Sequence, residues 1–89
     1  MASDEDIKKA FYEHGFQLGK ISEDPIDANN DDEVEELIDA IWGTSECYDE
    51  ILDMVVEKAG GTGSYNELNK KLDLCGELNR GIADGLKAR

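Results

Sequence analysis

The spacing of its apolar residues is the feature that most constrains how this chain can fold. Between residues 34 and 59 they recur every four and then every three positions, which is the repeat of one face of an α-helix. We call this face the apolar seam, and its members are Val34, Ile38, Ile41, Ser45, Tyr48, Leu52, Val55 and Ala59. Because the repeat keeps its phase past Gly43, we predict one continuous helix over residues 31–59. A break near Gly43 is the alternative interpretation.

One further helix is predicted on each side of this one. Ser3 can cap the first, which we place at residues 4–20 with acidic residues in its first turn. The glycines within residues 60–63 end the middle helix, and Ser64 begins Ser-Tyr-Asn-Glu, which matches the capping-box sequence. The last helix is therefore predicted over residues 64–87. No segment alternates with a period of two, so no sheet is expected.

The predicted architecture is all-α, a small antiparallel three-helix bundle in a single domain over residues 1–89. Gly15 and Gly19 weaken the first helix unless they allow a neighbouring helix to approach closely. Trp42 and Tyr48 are expected to pack in the core, although either could instead anchor a partner. Ile7, Phe11, His14, Leu18 and Ile21 are predicted to form one face of the first helix. The buried side of the last helix is predicted to be Leu68, Leu72, Cys75, Leu78, Ile82 and Leu86.

The charge of the chain is concentrated in one stretch. Residues 21–57 carry fourteen Asp and Glu and no Lys or Arg, whereas the remaining residues carry eight acids and nine bases. The net charge of −13 therefore comes from this stretch. So acidic a chain does not bind nucleic acid or an anionic membrane through its overall field. A basic protein surface is the expected partner.

The acids of the predicted middle helix lie about 200° around its axis from the apolar seam, which places them opposite the core. In a continuous helix this stripe would extend about 37 Å with one carboxylate per ~3.7 Å, close to the ~3.4 Å spacing of phosphates along one DNA strand. Like charges four residues apart, such as Glu35 and Asp39, each cost about 0.2–0.5 kcal/mol. The predicted partner-binding residues are Asp32, Glu33, Glu35, Glu36, Asp39, Glu46, Asp49, Glu50, Asp53 and Glu57.

The chain carries no sequence pattern of a catalytic or metal site. The acidic loop before the middle helix has oxygen-bearing residues at alternate positions, but Asp32 and Ile38 stand where an EF-hand needs glycine and glutamate. His14 is the only histidine, and Cys47 and Cys75 are far apart in sequence, so we expect no metal, no cofactor and no enzyme activity. No signal peptide or bilayer-spanning apolar run is visible, which predicts a cytoplasmic protein, in the host cell if the source is viral.

Two resemblances bear on function. As a class, the chain resembles small, acidic phage proteins that block host defence, namely anti-restriction DNA mimics and anti-CRISPR proteins. That resemblance implies that carboxylates such as Asp32, Glu36 and Asp39 occupy Lys and Arg that normally hold phosphates, without catalysis. The segment from Gly43 to Leu52 is also similar to the modification site of acyl carrier proteins, although the family's Asp-Ser-Leu is absent. This second resemblance implies a prosthetic group on Ser45.

Three functional hypotheses follow. The first is a non-catalytic inhibitor that docks its acidic helix on a basic, normally nucleic-acid-binding surface of a protein partner. The alternative is a helical adaptor or homodimer that associates through the apolar seam, in which Leu52→Asp would disrupt association. The third is a carrier protein modified on Ser45. They differ in the salt dependence of binding, in oligomeric state and in the mass of the native protein.

Overall fold

All of the secondary structure that the computed structural model describes, over residues 3–89, is helical. The elements are α1 (Asp4–Ile21), α2 (Asp31–Trp42), a 3₁₀ turn (Ser45–Cys47), α3 (Asp49–Lys58), α4 (Tyr65–Leu72) and α5 (Leu74–Ala88). The predicted all-α class is confirmed. The prediction of a three-helix bundle is not, because the middle and last predicted helices are each divided in two.

Four helices start with side-chain caps, and two of these caps are the predicted serines. Ser3 accepts a hydrogen bond from Asp6 N at 3.2 Å, and the Asp6 carboxylate accepts one from Ser3 N. Asn30 accepts from backbone N–H groups in the first turn of α2, and Ser64 accepts from Glu67 N at the start of α4. Each cap satisfies N–H groups that have no partner within their helix.

The predicted continuous helix over residues 31–59 is wrong, and the alternative of a break near Gly43 is confirmed. Gly43 is the C-cap of α2, and the Thr44 hydroxyl donates to Ile41 O at 2.6 Å, which satisfies a carbonyl at the helix end. Thr44 and Tyr48 are both extended, with ψ of 175° and 148°. Two extended residues interrupt the helical hydrogen bonds, so the chain makes a 3₁₀ turn and begins again as α3.

The break changes which members of the predicted seam are buried. Cys47 turns inward and is 5% exposed, whereas Tyr48, predicted to pack in the core, is 60% exposed. The buried face resumes at Leu52 in α3. Trp42 is partly buried, as expected of a core residue, and its Nε1 donates to Asn79 Oδ1 of α5 at 2.5 Å. The apolar seam therefore does not face the core along its whole length.

The last predicted helix is divided at Asp73, which adopts the left-handed conformation with φ 49° and ψ 54°. Aspartate tolerates this conformation better than most residues do. Its carboxylate accepts from Gly76 N at 3.2 Å and so caps α5, while Asn69 Oδ1 accepts from Cys75 N at 2.8 Å. The change of direction buries Leu74 completely and leaves the predicted core residue Cys75 only partly buried.

The centre of the fold is the close contact between α1 and α5. The glycine-to-carbonyl contacts join Gly15 to Leu78, Gly19 to Ile82, Gly81 to Tyr12 and Gly85 to Phe16. A methyl group on any of these glycines would lie closer than 3.0 Å to the opposite backbone, so only hydrogen permits this approach. Residue numbers rise together along the two helices, which are therefore parallel. The alternative interpretation, that the α1 glycines admit a neighbouring helix, is confirmed.

After α1 the chain turns back, so that α2 begins beside the C-terminal end of α1 and α3 ends beside the N-terminal end of α1. Arg89 donates to the Ser22 and Ile26 carbonyls at 2.7 and 3.3 Å, which holds the loop after α1 beside the end of α5. At the opposite end, Gly61 packs against the side chain of Ile7. The side chains that fill the centre are Phe11, Leu52, Val56, Leu74, Leu78, Ile82 and Leu86.

The buried thiol of Cys47 and the buried phenol of Tyr65 predict that the fold is less stable at alkaline pH. Burial raises the pKa of Cys47 from 9.0 to about 11 and that of Tyr65 from 10.0 to about 12. The folded state holds these two protons more tightly than the unfolded state does. Their contribution to the stability of the fold is therefore complete below pH 9.0 and falls as the pH rises to about 12. The thermal unfolding midpoint should therefore decrease over this range, and Cys47→Ala should flatten the decrease between pH 9.0 and about 11. An unchanged slope in that variant would show that Cys47 is not responsible.

Candidate functional site

The ten predicted partner-binding acids occupy three successive elements rather than one helix. They lie in α2 (Asp32, Glu33, Glu35, Glu36 and Asp39), in the 3₁₀ turn (Glu46) and in α3 (Asp49, Glu50, Asp53 and Glu57). We call these ten residues the acidic surface. All of them are exposed except Glu33, which is partly buried.

The acidic surface is not the straight rod that a continuous helix would give. At a rise of about 1.5 Å per residue, α2 and α3 are about 18 and 15 Å long, with the 3₁₀ turn between them. The predicted length of about 37 Å is therefore wrong, and so is the regular spacing that was compared with DNA phosphates. What remains is a high density of carboxylates on two shorter helices.

No carboxylate of the acidic surface makes an ion pair with a cation in residues 3–89. The ion pairs in that range are Lys8 with Glu5 at 3.7 Å and Arg80 with Glu77 at 2.5 Å, both outside the acidic surface. Like charges four residues apart remain within α2 and within α3. Folding thus brings negative charges together without ion pairs to offset them, at about 0.2–0.5 kcal/mol for each such pair.

Three of the ten acids have structural roles. Asp53 Oδ1 accepts from Tyr65 N at 2.7 Å and Asp49 Oδ2 accepts from Asn66 Nδ2 at 3.1 Å, so both hold the start of α4, where negative charge is favoured. Glu33 Oε2 accepts from a backbone N–H of the preceding loop at 3.3 Å. Acids without such a role are better candidates for contacting a partner, and those that accept no hydrogen bond within residues 3–89 include Glu35, Glu36, Asp39, Glu50 and Glu57.

The break exposes an aromatic residue next to the acidic surface, Tyr48, which was predicted to pack in the core. Tyr48 is more than half exposed, and Glu46, Asp49 and Glu50 beside it in sequence are exposed as well. Its side chain makes no capping hydrogen bond, although it stands at the N-cap of α3, where Ser, Thr, Asp or Asn would add about 1 kcal/mol. An exposed tyrosine at such a position is a candidate interface residue. The seam gave no signal for it, because Tyr48 keeps the phase of the apolar repeat.

Charges on the exposed side of the α1–α5 pair are compensated. Tyr12 OH donates to Asp84 Oδ2 at 2.5 Å, and the Arg80 guanidinium lies over the Tyr12 ring, 5.3 Å from its centroid. The hydrogen bond to Asp84 raises the pKa of Tyr12. Because Arg80 also pairs with Glu77, positive and negative groups meet on this side. The uncompensated charge of the molecule therefore lies in residues 21–57, where ten of the fourteen acids form the acidic surface.

Leu52 and Ser45 are the residues on which the oligomerisation and carrier-protein hypotheses depend, and they differ in exposure. Leu52 has no exposed surface, so it cannot take part in an exposed oligomerisation seam, and that part of the alternative is wrong. The large apolar residue that α3 does expose is Met54, at 49%. Ser45 is exposed at the first position of the 3₁₀ turn, and its modification stays a prediction.

Comparison with known proteins assigns the chain to no family. No protein-family model, no curated protein and no solved structure matches it. Among the helices of residues 3–89, none combines the length and the apolar character needed to cross a membrane. The arrangement of the acidic surface is therefore the basis for a functional proposal.

Proposed function

We propose that this chain is a non-catalytic binding protein that inhibits a partner by covering a basic surface at which the partner otherwise holds nucleic acid. The observation that carries the proposal is the set of exposed carboxylates on α2 and α3 with which no cation of residues 3–89 forms an ion pair. Lys and Arg of the partner would pair with these carboxylates as they pair with phosphates. The protein would then act by competition, as anti-restriction and anti-CRISPR proteins do.

The net charge sets how such a complex would form. A molecule of net charge −13 attracts a basic groove over distances longer than a contact, which raises the association rate. Exposed charges are screened over about 8–10 Å at physiological salt. Partner binding should therefore be fast at low ionic strength and weaken steeply as salt is added.

Tyr48 supports a partner that presents arginine. A guanidinium group can stack on the exposed phenol ring while its N–H groups donate to nearby carboxylates such as Glu46 and Glu50. Tyrosine is among the residues that contribute most to binding when an interface buries them. The exposure of Tyr48 at the break, among acids, is thus consistent with an anchor at the centre of the acidic surface.

Reversing three acids that have no structural role should abolish partner binding without unfolding the protein. In E36K/D39K/E50K each change replaces a negative with a positive charge at an exposed position. Asp53 is left unchanged because its carboxylate accepts from Tyr65 N. A pull-down from an extract of the native host should retain a nucleic-acid-binding partner with the wild-type protein at low salt and release it at high salt. The triple variant should bind that partner at least about 100-fold more weakly.

The matched control reverses three exposed acids outside α2 and α3. D4K/E23K/D24K changes the net charge by the same amount and should retain the partner. The purified partner should also lose its nucleic acid in a gel-shift assay as wild-type protein is added. Equal binding by E36K/D39K/E50K, or a partner that still holds nucleic acid in the complex, would contradict the proposed function.

A further inference from the structure

A groove between α1 and α3 combines an apolar floor with an open side. It encloses about 980 Å³. The apolar side chains that line it are Ala10, Phe16, Ile51, Met54, Val55 and Ala59. Met54 is about half exposed although it lies on a helix whose other exposed residues are mostly charged. Burial of this apolar surface against another molecule would be favourable at about 25 cal/mol per Å².

The charged residues at this groove balance one another, unlike those of the acidic surface. They are the acids Asp6 and Glu13 and the lysines Lys9 and Lys58. The Asp6 carboxylate accepts from Ser3 N in the α1 cap. Neither lysine nor Glu13 makes an ion pair within the described part of the chain. A second negative molecule would therefore meet less repulsion here than at α2 or at the outer side of α3.

The charges also have a direction along the groove. Gly61, which follows α3, packs on Ile7, so the end of α3 lies beside the first turns of α1. Lys58 and Lys9 thus share one end of the groove with Asp6, whose carboxylate accepts from Ser3 N. Glu13 lies one turn further along α1, at about 6 Å. A two-fold axis across the groove would place the lysine end of one copy opposite Glu13 of another.

We propose that this groove is the interface of a two-fold homodimer of the chain. Met54 of each copy covers the apolar floor of the other, and Lys9 of each copy faces Glu13 of the other. A two-fold interface needs a patch that is complementary to itself, and balanced charges on an apolar floor meet that requirement. The proposal does not depend on the proposed function, because it uses groove residues rather than the acids that were chosen for reversal.

Salt should act on this dimer in the direction opposite to its effect on partner binding. Each copy has a net charge of −13, so two copies repel at low ionic strength. Screening removes this repulsion but leaves the apolar contact intact. Dimerisation should therefore become tighter as salt is added, whereas binding to a basic partner becomes weaker.

Sedimentation equilibrium of the full chain tests the proposal. The wild-type mass should rise with concentration from 9.8 kDa towards twice that value, at lower concentration in high salt than in low salt. M54D should weaken the dimer at least about tenfold. Its matched control is T62D, which adds the same charge at an exposed position between α3 and α4 and should leave the dimer intact.

A charge exchange distinguishes pairing across the axis from a loss of folding. K9E places two acids opposite each other and should weaken the dimer, whereas K9E/E13K restores opposite charges and should recover it. Circular dichroism should show the wild-type helix content in every variant. A monomer at all concentrations and salts, a dimer unchanged in M54D, or a double variant no tighter than K9E would each overturn the proposal.

Discussion

Replacing Gly81 with alanine should destabilise the fold by about 2–4 kcal/mol, a large fraction of the stability of a domain this small. In an exposed helix the same change usually stabilises, by up to about 1 kcal/mol. Here the added methyl group would lie closer than 3.0 Å to the Tyr12 backbone, which belongs to a packed helix and cannot move aside alone. Relief requires α1 and α5 to separate, and that separation loosens the packing of Leu78 and Ile82 between them.

Gly43→Ala is the matched control for this substitution. Gly43 is exposed, has φ −81°, and a methyl group there would meet only ordinary contacts at 3.5 and 3.6 Å. It should be neutral or stabilise by about 0.4–1 kcal/mol, through the unfolded state. Urea unfolding of the two variants gives both free energies, and a Gly81 variant as stable as the Gly43 variant would show that α1 and α5 are not in close contact.

Leu52→Asp should unfold the protein rather than alter its association. Leu52 has no exposed surface and packs in the centre of the core. The substitution removes its apolar contacts, worth about 2–5 kcal/mol in a leucine-to-alanine change, and adds a carboxylate that has no partner there. The total is comparable to the whole stability of the domain. Circular dichroism should show loss of helix at room temperature.

Met54→Asp makes the same kind of change two residues further along α3 and should leave the helix content unchanged. Met54 is about half exposed, so its new carboxylate remains in water. Unfolding in urea should differ from wild type by about 1 kcal/mol or less. If Leu52→Asp remained folded while Met54→Asp did not, the assignment of the two faces of α3 would be reversed.

The features that could be predicted from the sequence are those that depend on a few neighbouring residues, such as helix caps and the spacing of glycines. Ser3 and Ser64 were identified as caps because a serine hydroxyl can satisfy N–H groups of the next three residues, whatever the rest of the chain does. The spacing of Gly15 and Gly19 indicated a close approach. The matching spacing of Gly81 and Gly85 was in the sequence and identifies the neighbour, since two such pairs can face each other's carbonyls.

The two breaks could not be predicted in the same way. The apolar repeat continues in phase past Gly43, so periodicity alone favoured a continuous helix. The extended backbone at Thr44 accompanies the burial of Cys47, which is a tertiary contact and not a local property of the sequence. The break at Asp73 does have a local indication in the sequence, because an aspartate three residues before Gly76 can cap a new helix there. The regular spacing of the leucines nevertheless favoured one continuous helix.

The acidic surface was predictable in composition but not in shape. The acidic residues can be read directly from the sequence, and the helical repeat predicts that they lie away from the core. It does not reveal that Asp53 accepts a hydrogen bond from Tyr65 N, since that contact joins two helices across a glycine-rich turn. The exposure of Tyr48 was missed for a related reason, because it follows from the break rather than from the repeat.

The pairing of α1 with α5 also determines how this chain reaches its native state. Tyr12 and Asp84, which meet across that pair, are separated by 72 positions, so nearly the whole chain forms the loop that must close. The equilibrium penalty grows slowly with length, by about 0.6 kcal/mol per doubling, but folding rates fall as contacts become less local. Individual helices form within about a microsecond. We therefore expect the folding time of this small helical domain to be set by the encounter of α1 with α5 rather than by the formation of either helix.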